Sequence, residues 1–262
     1  MRPRVCLSIA GFDPSGGAGL VSDVRTFSFL CVYSISVVSA ITLQNTYEIT
    51  GIKKISSQLF KKQIETVLND ITPHSTKISM ISSVECAKVL YECLKKYKLK
   101  NVVFDPVMIS KHNVILTPSS VMKFISRKIF SLLTLITPNI PEASFICNRE
   151  IRTIEDIKSS AKHINSLGVK YVFLKGGHLD GDWCVDTLYD GKDFYFFKNR
   201  RINTLNTHGT GCILSSAISA FLAQGYDIYF SVKKAVEFVN CGIKNSFKPG
   251  KGFGTLNLFK CV

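Results

Sequence analysis

Residues 5–19 read VCLSIAGFDPSGGAG: an apolar run ends in a loop carrying four glycines, and a helical pattern follows over 17–30. Strand, glycine loop and helix form the opening unit of an α/β domain, because parallel strands need a crossover between them, usually a helix. The rhythm continues outward from there. Short β-branched runs at 34–41, 77–81, 101–105, 133–137 and 171–175 read as strands, with the first strand at 5–10. Longer amphipathic runs at 57–71, 84–97, 119–130, 154–167, 211–224 and 228–246 read as helices. This alternation predicts a mostly parallel sheet covered on both faces. Between 186 and 197, Asp190-Gly191 separates two β-rich runs and predicts a hairpin. With 262 residues, 46% of them hydrophobic, and no Pro- or Ser-rich linker, the expectation is one domain over 1–262.

Composition narrows the function classes. The net charge is +14, from 33 Lys and Arg against 19 Asp and Glu, but the lysines are scattered and form no basic run interleaved with aromatics. That distribution argues against nucleic acid as a partner and for attraction of anionic small molecules. Nine cysteines form no C-x-x-C pair and no cluster with the five histidines, so reduced thiols in a reducing, cytoplasmic compartment are expected. The start, MRPRVCLSIA, imitates a signal peptide but runs into the glycine loop without a cleavage spacer, and reads as the first strand. The uncharged stretch 26–46 divides into a helix end, a turn and a β-branched strand, so no membrane span is expected.

In a sheet of this kind ligands bind beyond the carboxyl ends of the strands. The segments there are GFDPSGGAG at 11–19, QNT at 44–46, DPVM at 105–108, PNIPE at 138–142 and KGGH at 175–178. A sixth, THGTGC at 207–212, opens an apolar helix. The first N–H groups of that helix make an anion site, and a thiol at a helix N-terminus has its pKa lowered, which would suit Cys212 to accept a proton. A tight turn with a small buried cysteine is the alternative reading. The glycine loop has neither a Walker A ending nor G-x-G-x-x-G spacing.

In this order AGFDPSGGAG, LQNT, FDPVM, ITPNIPEA, LKGGH and NTHGTGC resemble the hydroxymethylpyrimidine and phosphomethylpyrimidine kinases of thiamine biosynthesis, a branch of the ribokinase superfamily, over nearly the whole length. The resemblance implies a ribokinase-like three-layer α/β/α fold with a mostly parallel central sheet and a small β-hairpin or flap. It implies a kinase that uses ATP with Mg²⁺ to phosphorylate 4-amino-5-hydroxymethyl-2-methylpyrimidine and then its monophosphate. A homodimer is also implied. Gly209, Thr210, Gly211 and Cys212 would meet the travelling phosphoryl group, with Cys212 similar to the residue proposed as base in this branch. Asp105 and Glu142 are hard oxygen ligands suited to Mg²⁺, although Glu142 also reads as a helix-start carboxylate. Gln44 offers a donor and an acceptor to an aminopyrimidine. Gly11, Met80 and Val107 would complete that pocket, with Asp23 as a further candidate that also reads as a solvated helix carboxylate. Asn139, Lys175, Gly177 and Thr207 carry over to the nucleotide side.

Three features depart from the family: Ser79 in place of a glycine, the loop KHNV at 111–114 without its usual glycine, and the ending GKGFGTLNLF. The rival readings are a pyridoxal kinase of the same superfamily and a non-catalytic nucleotide-binding regulator. Gln44 within LQNT favours the pyrimidine. The intact glycines and Cys212 favour catalysis.

Overall fold

A computed structural model describes residues 3–177 and 181–261. Nine strands build one sheet: β1 (Val5–Phe12), β2 (Tyr33–Gln44), β3 (Ile49–Lys54), β4 (Ser75–Ile78), β5 (Val102–Phe104), β6 (Leu135–Ile136), β7 (Tyr171–Leu174), β8 (Trp183–Tyr189) and β9 (Phe194–Arg200). Their spatial order is β3-β2-β1-β4-β5-β6-β7-β8-β9. The pairs from β2 through β1 to β7 are parallel, and β3, β8 and β9 are antiparallel additions at the two edges. The order turns back at β1, whose neighbours are β2 and β4. That is where a doubly wound sheet opens a crevice at its carboxyl edge.

Alternation along the strands divides the core. Val102, Phe104, Ile136, Val172 and Leu174 pack with Phe60, Ile64, Leu90, Ile125 and Ile157, from α2 (Ser57–Leu68), α3 (Val84–Tyr97), α4 (Ser119–Lys128) and α6 (Ile154–Ser166). Their sheet neighbours Val103, Leu135 and Phe173 point the other way, onto α7 (Thr210–Ala223) and α8 (Ile228–Lys244). Next to α7, Phe27 of α1 (Gly19–Phe29) covers β1 on that same side. The result is the expected three-layer fold.

All six predicted strands and seven predicted helices are present, with edges shifted by a few residues. Two elements lay outside the expectation. β3 is a short edge strand interrupted by Gly51, and α5 (Ile140–Cys147) has eight residues with a proline in its first turn, so neither carries a long periodic signal. The hairpin is β8–β9, with Gly191 at φ +96° and Asp190 Oδ1 accepting from the N–H groups of Lys192 and Asp193. It extends the sheet. The flap is a separate loop, closed by a bridge between Ile109 and Ile115.

The expectation of nine free thiols is corrected in one place. Cys241 near the end of α8 is joined to Cys261, with Cα atoms 5.7 Å apart, because Asn257 N–H bonds Gly242 O and lays the C-terminal segment along the helix. Among the described residues no helix is long and apolar enough to cross a membrane.

Candidate active site

The turn before α7 is made by contact between two glycine loops. Gly209 has φ +79°, and a Cβ there would stand 1.8 Å from Gly17 O, so only glycine fits. No side chain caps α7, which leaves its first N–H groups facing the site. Gly211 brings the turn against two charged groups: a Cβ on it would lie 3.3 Å from Lys175 Nζ and 3.6 Å from Asp105 Oδ2. Lys175 Nζ donates to Asp105 Oδ1 at 3.0 Å. Thr137 and Ser215 hydroxyls also donate to this fully buried carboxylate, at 3.2 and 3.4 Å.

Asn139, Glu142, Lys175, Gly177, Thr207, Thr210 and Gly211 share the wall of one cavity of about 1030 Å³. Glu142 is a helix-start carboxylate, as one of its two readings has it. It closes a capping box, accepting from Asn139 N–H at 2.8 Å while Asn139 Oδ1 accepts from Glu142 N–H, and it faces the cavity. Asn139 is therefore a helix cap as well as a wall residue. Burial, with Asp105 nearby, pushes the Glu142 carboxyl up to about 7, and Lys175 opposes the shift. Asp186, on the same wall, is pushed up to about 6 by burial although it accepts Gly176 N–H. The motif residue His178 lies outside the described residues.

The structure corrects the expected state of Cys212. The thiol is buried and does not line the cavity, and burial pushes it up to about 11. Lys77 lowers it, Asp105 and Asp23 raise it, and Gly19 N–H donates to it. The helix-terminal position does not outweigh loss of water.

Asp23 is also corrected. It is neither a pocket residue nor a solvated one: its fully buried carboxylate accepts from Lys77 Nζ at 2.8 and 2.9 Å, Ser8 Oγ at 2.6 Å and Ser216 Oγ at 2.7 Å. These four bonds tie α1, β1, β4 and α7 together beneath the anion turn.

Gln44 ends β2 beside the turn, its Nε2 3.4 Å from Asp13 Oδ2 and 3.3 Å from His208 Nε2. His208 Nε2 is in turn 3.2 Å from Asp13 Oδ2. Gly11 lies under Met80, since a Cβ there would meet the Met80 sulfur at 2.7 Å, and both are buried. Val107 N–H bonds Asp105 O. Gln44, Gly11, Met80 and Val107 are not in the wall of the large cavity; Gln44 sits beside the turn, where it and His208 both meet Asp13 Oδ2.

Two departures noted in the sequence meet each other. On the flap, Lys111 Nζ donates to Thr207 Oγ1 and lies 5.3 Å from the Phe253 ring centre, while the His112 ring is 5.5 Å from the same ring. Phe253 N–H bonds Thr46 O, two residues beyond Gln44. The unusual loop and the unusual C-terminal segment thus form one lid contact.

The chain that carries this anion turn, with its lysine, carboxylates and amide, is similar in sequence and fold to known proteins. The phosphomethylpyrimidine kinase family model aligns with residues 13–257. The chain belongs to this family. It is 41% identical over 249 residues to the hydroxymethylpyrimidine/phosphomethylpyrimidine kinase of Aquifex aeolicus, covering 95% of this chain and 98% of that protein. A phosphomethylpyrimidine kinase structure from Clostridium difficile superposes with TM-score 0.81 at 40% identity, covering 90% of this chain and 98% of that one. An ADP complex of Bacillus subtilis pyridoxal kinase superposes with TM-score 0.92 at 32% identity, covering 99% and 98%. The fold is therefore shared between the two vitamin kinases, and overall shape does not separate them.

Sequence reasoning missed Asp13, His208 and Lys111 at the site and Lys77 beneath it. Asp13 and His208 stand inside two of the motifs, so a signal existed; only their contact across 195 residues was hidden. Lys77 sits in an otherwise apolar strand pattern. Its burial could have been anticipated, but its partner could not.

Proposed function

We propose that this protein is an ATP-dependent kinase that phosphorylates 4-amino-5-hydroxymethyl-2-methylpyrimidine and then its monophosphate, supplying the diphosphate for thiamine biosynthesis. The observation that carries the reading is that Gln44 and His208, the residue before the Gly209 turn, both meet the Asp13 carboxylate, which sets Gln44 beside the anion turn. It sets a group able to read an aminopyrimidine next to backbone N–H groups able to hold a phosphoryl group. Phosphoryl transfer depends mainly on positioning and charge neutralisation, and these residues supply both.

The N–H groups of Thr210, Gly211 and Cys212 stabilise the equatorial oxygens, and Lys175 neutralises charge on the nucleotide side. Asn139, Gly177 and Thr207 line the space for that nucleotide. Cys212 is held as a thiol in the free protein, so it serves as base only when the charges around it change; neutralising Asp105 acts in that direction. Asp105 and Glu142 fit Mg²⁺. They are two hard carboxylates in one cradle with a single lysine between them, and Mg²⁺ is held by one or two carboxylates while keeping waters and phosphate oxygens. When bound, the metal would supply charge neutralisation to the phosphates. Among the described residues no group of three or more His, Cys, Asp or Glu is placed to hold a metal ion without other ligands. We further propose one kinase domain over 1–262, a homodimer and a cytoplasmic location, with no nucleic-acid or membrane partner.

The decisive assay follows mono- and diphosphate formation from the pyrimidine alcohol with ATP and Mg²⁺, with pyridoxal in parallel. Both pyrimidine products are expected. Turnover of pyridoxal alone would reassign the protein to the rival kinase.

A further inference from the structure

The functional reading leaves unexplained how an amide, which presents either of two faces, reads one ring and rejects its near-isostere. We propose that Asp13, with His208, is a positioning residue that fixes the orientation of the Gln44 amide and so sets the selectivity for a 4-amino over a 4-oxo pyrimidine. This rests on the kinase reading above.

Asp13 is 3% exposed, and its Oδ1 accepts Ser15 N–H at 2.8 Å and Ser15 Oγ–H at 2.7 Å. Its Oδ2 accepts Ala18 N–H at 3.0 Å. With these donors and His208, its pKa is held below the ordinary carboxylate value although burial alone would raise it. An ionised carboxylate only accepts, so every neighbour must present a donor. His208 therefore carries a proton on Nε2 and donates it to Asp13, so its 3.3 Å approach to Gln44 Nε2 is a contact between two donors that share Oδ2 and not a hydrogen bond. Gln44 must turn its NH₂ toward Oδ2, because its carbonyl there would set two acceptors against each other. That orientation commits one amide hydrogen to Asp13, and leaves the other hydrogen and Oε1 to a ligand.

The complementary ring edge is an acceptor nitrogen beside a donor amine, which is the N3 and 4-amino pair of the pyrimidine alcohol. The 4-oxo counterpart carries N3–H and C4=O, the reverse pattern, and would require Gln44 to flip. Flipping would set Oε1 against the Asp13 carboxylate, so the fixed amide rejects that ring by repulsion as well as by lost bonds.

The experiment compares kcat/KM for the pyrimidine alcohol and its 4-oxo counterpart in the wild-type protein and in Asp13→Asn, which no longer demands donors. The wild type is expected to prefer the amino ring at least 100-fold and Asp13→Asn less than 10-fold. Equal losses for both rings, leaving the ratio within threefold, would overturn the proposal and leave Asp13 a loop-holding residue only. Ser15→Ala, which weakens the loop at Oδ1 but spares Oδ2, is expected to keep the wild-type ratio. A readout independent of turnover and of the variant's folding is the ¹⁵N spectrum of the free wild-type protein. One Gln44 side-chain amide proton should exchange at least tenfold more slowly than the other, and equal exchange overturns the proposal. If the wild-type protein phosphorylates neither ring, the kinase reading fails while the exchange measurement still decides the orientation.

Discussion

At the scale of single residues, three side chains carry measurable consequences. Replacing Gln44 by Leu removes both hydrogen-bonding groups from the ring site, at a cost of about 1–3 kcal/mol in binding. The dissociation constant of the pyrimidine alcohol is expected to rise roughly 5- to 150-fold by calorimetry, with ATP binding unchanged. For Cys212, a pKa of about 11 leaves a thiolate fraction on the order of one in ten thousand at neutral pH, so iodoacetamide should label exposed Cys31 long before it. Cys212→Ala is expected to lose most turnover but keep pyrimidine binding; undiminished turnover removes the thiol from the chemistry. Asp186 gives a pH test. Its folded pKa, about 6, lies above its unfolded value near 4, so its contribution to stability is fully present below pH ~4 and lost as pH rises through 6. Asp186→Asn keeps an acceptor for Gly176 N–H and should raise the Tm at pH 7.5 more than at pH 4.5. Gln44 was legible in the sequence because its chemistry belongs to the side chain itself. The state of Cys212 was not, because helix position lowers a thiol pKa and burial raises it, and only packing fixes the balance.

At the scale of elements, the strand-end loops were read correctly because β-branched runs and glycines are local signals. What stayed hidden was the stitching between elements. Asp23 on α1 reads in the sequence as a pocket or solvated carboxylate and Lys77 on β4 stands alone in an apolar strand pattern, and nothing local shows that the two are fully buried and bonded to each other. Removing one partner strands a buried charge, which costs about 3–5 kcal/mol, whereas removing both costs much less. Lys77→Met and Asp23→Leu should each lower unfolding stability by that amount in urea titration, and the double variant by clearly less than the sum. The turn at Gly209 gives a second test at this scale. Gly209→Ala places a methyl group against Gly17 O, so either the turn opens or the N-terminal loop shifts. Turnover should fall at least tenfold with circular dichroism unchanged; wild-type turnover would show that the contact between loops is dispensable.

At the scale of the whole molecule, the three layers followed from alternating periodicity alone, while the short edge strand β3 and the eight-residue α5 did not. Neither is long enough for its pattern to stand out, and β3 is specified by pairing with β2. The lid contact of Lys111 and His112 with Phe253 belongs to this scale too, since it joins segments about 140 residues apart that each look anomalous alone. The meeting of Gly17 with Gly209 bears on how the chain comes to be active. The anion turn takes shape only when residues separated by most of the polypeptide are in place, and Thr255 O accepts Phe247 N–H in the segment that holds His208 through Gly254 O. Contacts of such long range form late and slowly. During synthesis, the early strands have their partner helices well before residues 206–255 are available, so a chain halted short of Gly254 would lack the bond that holds His208 at the turn.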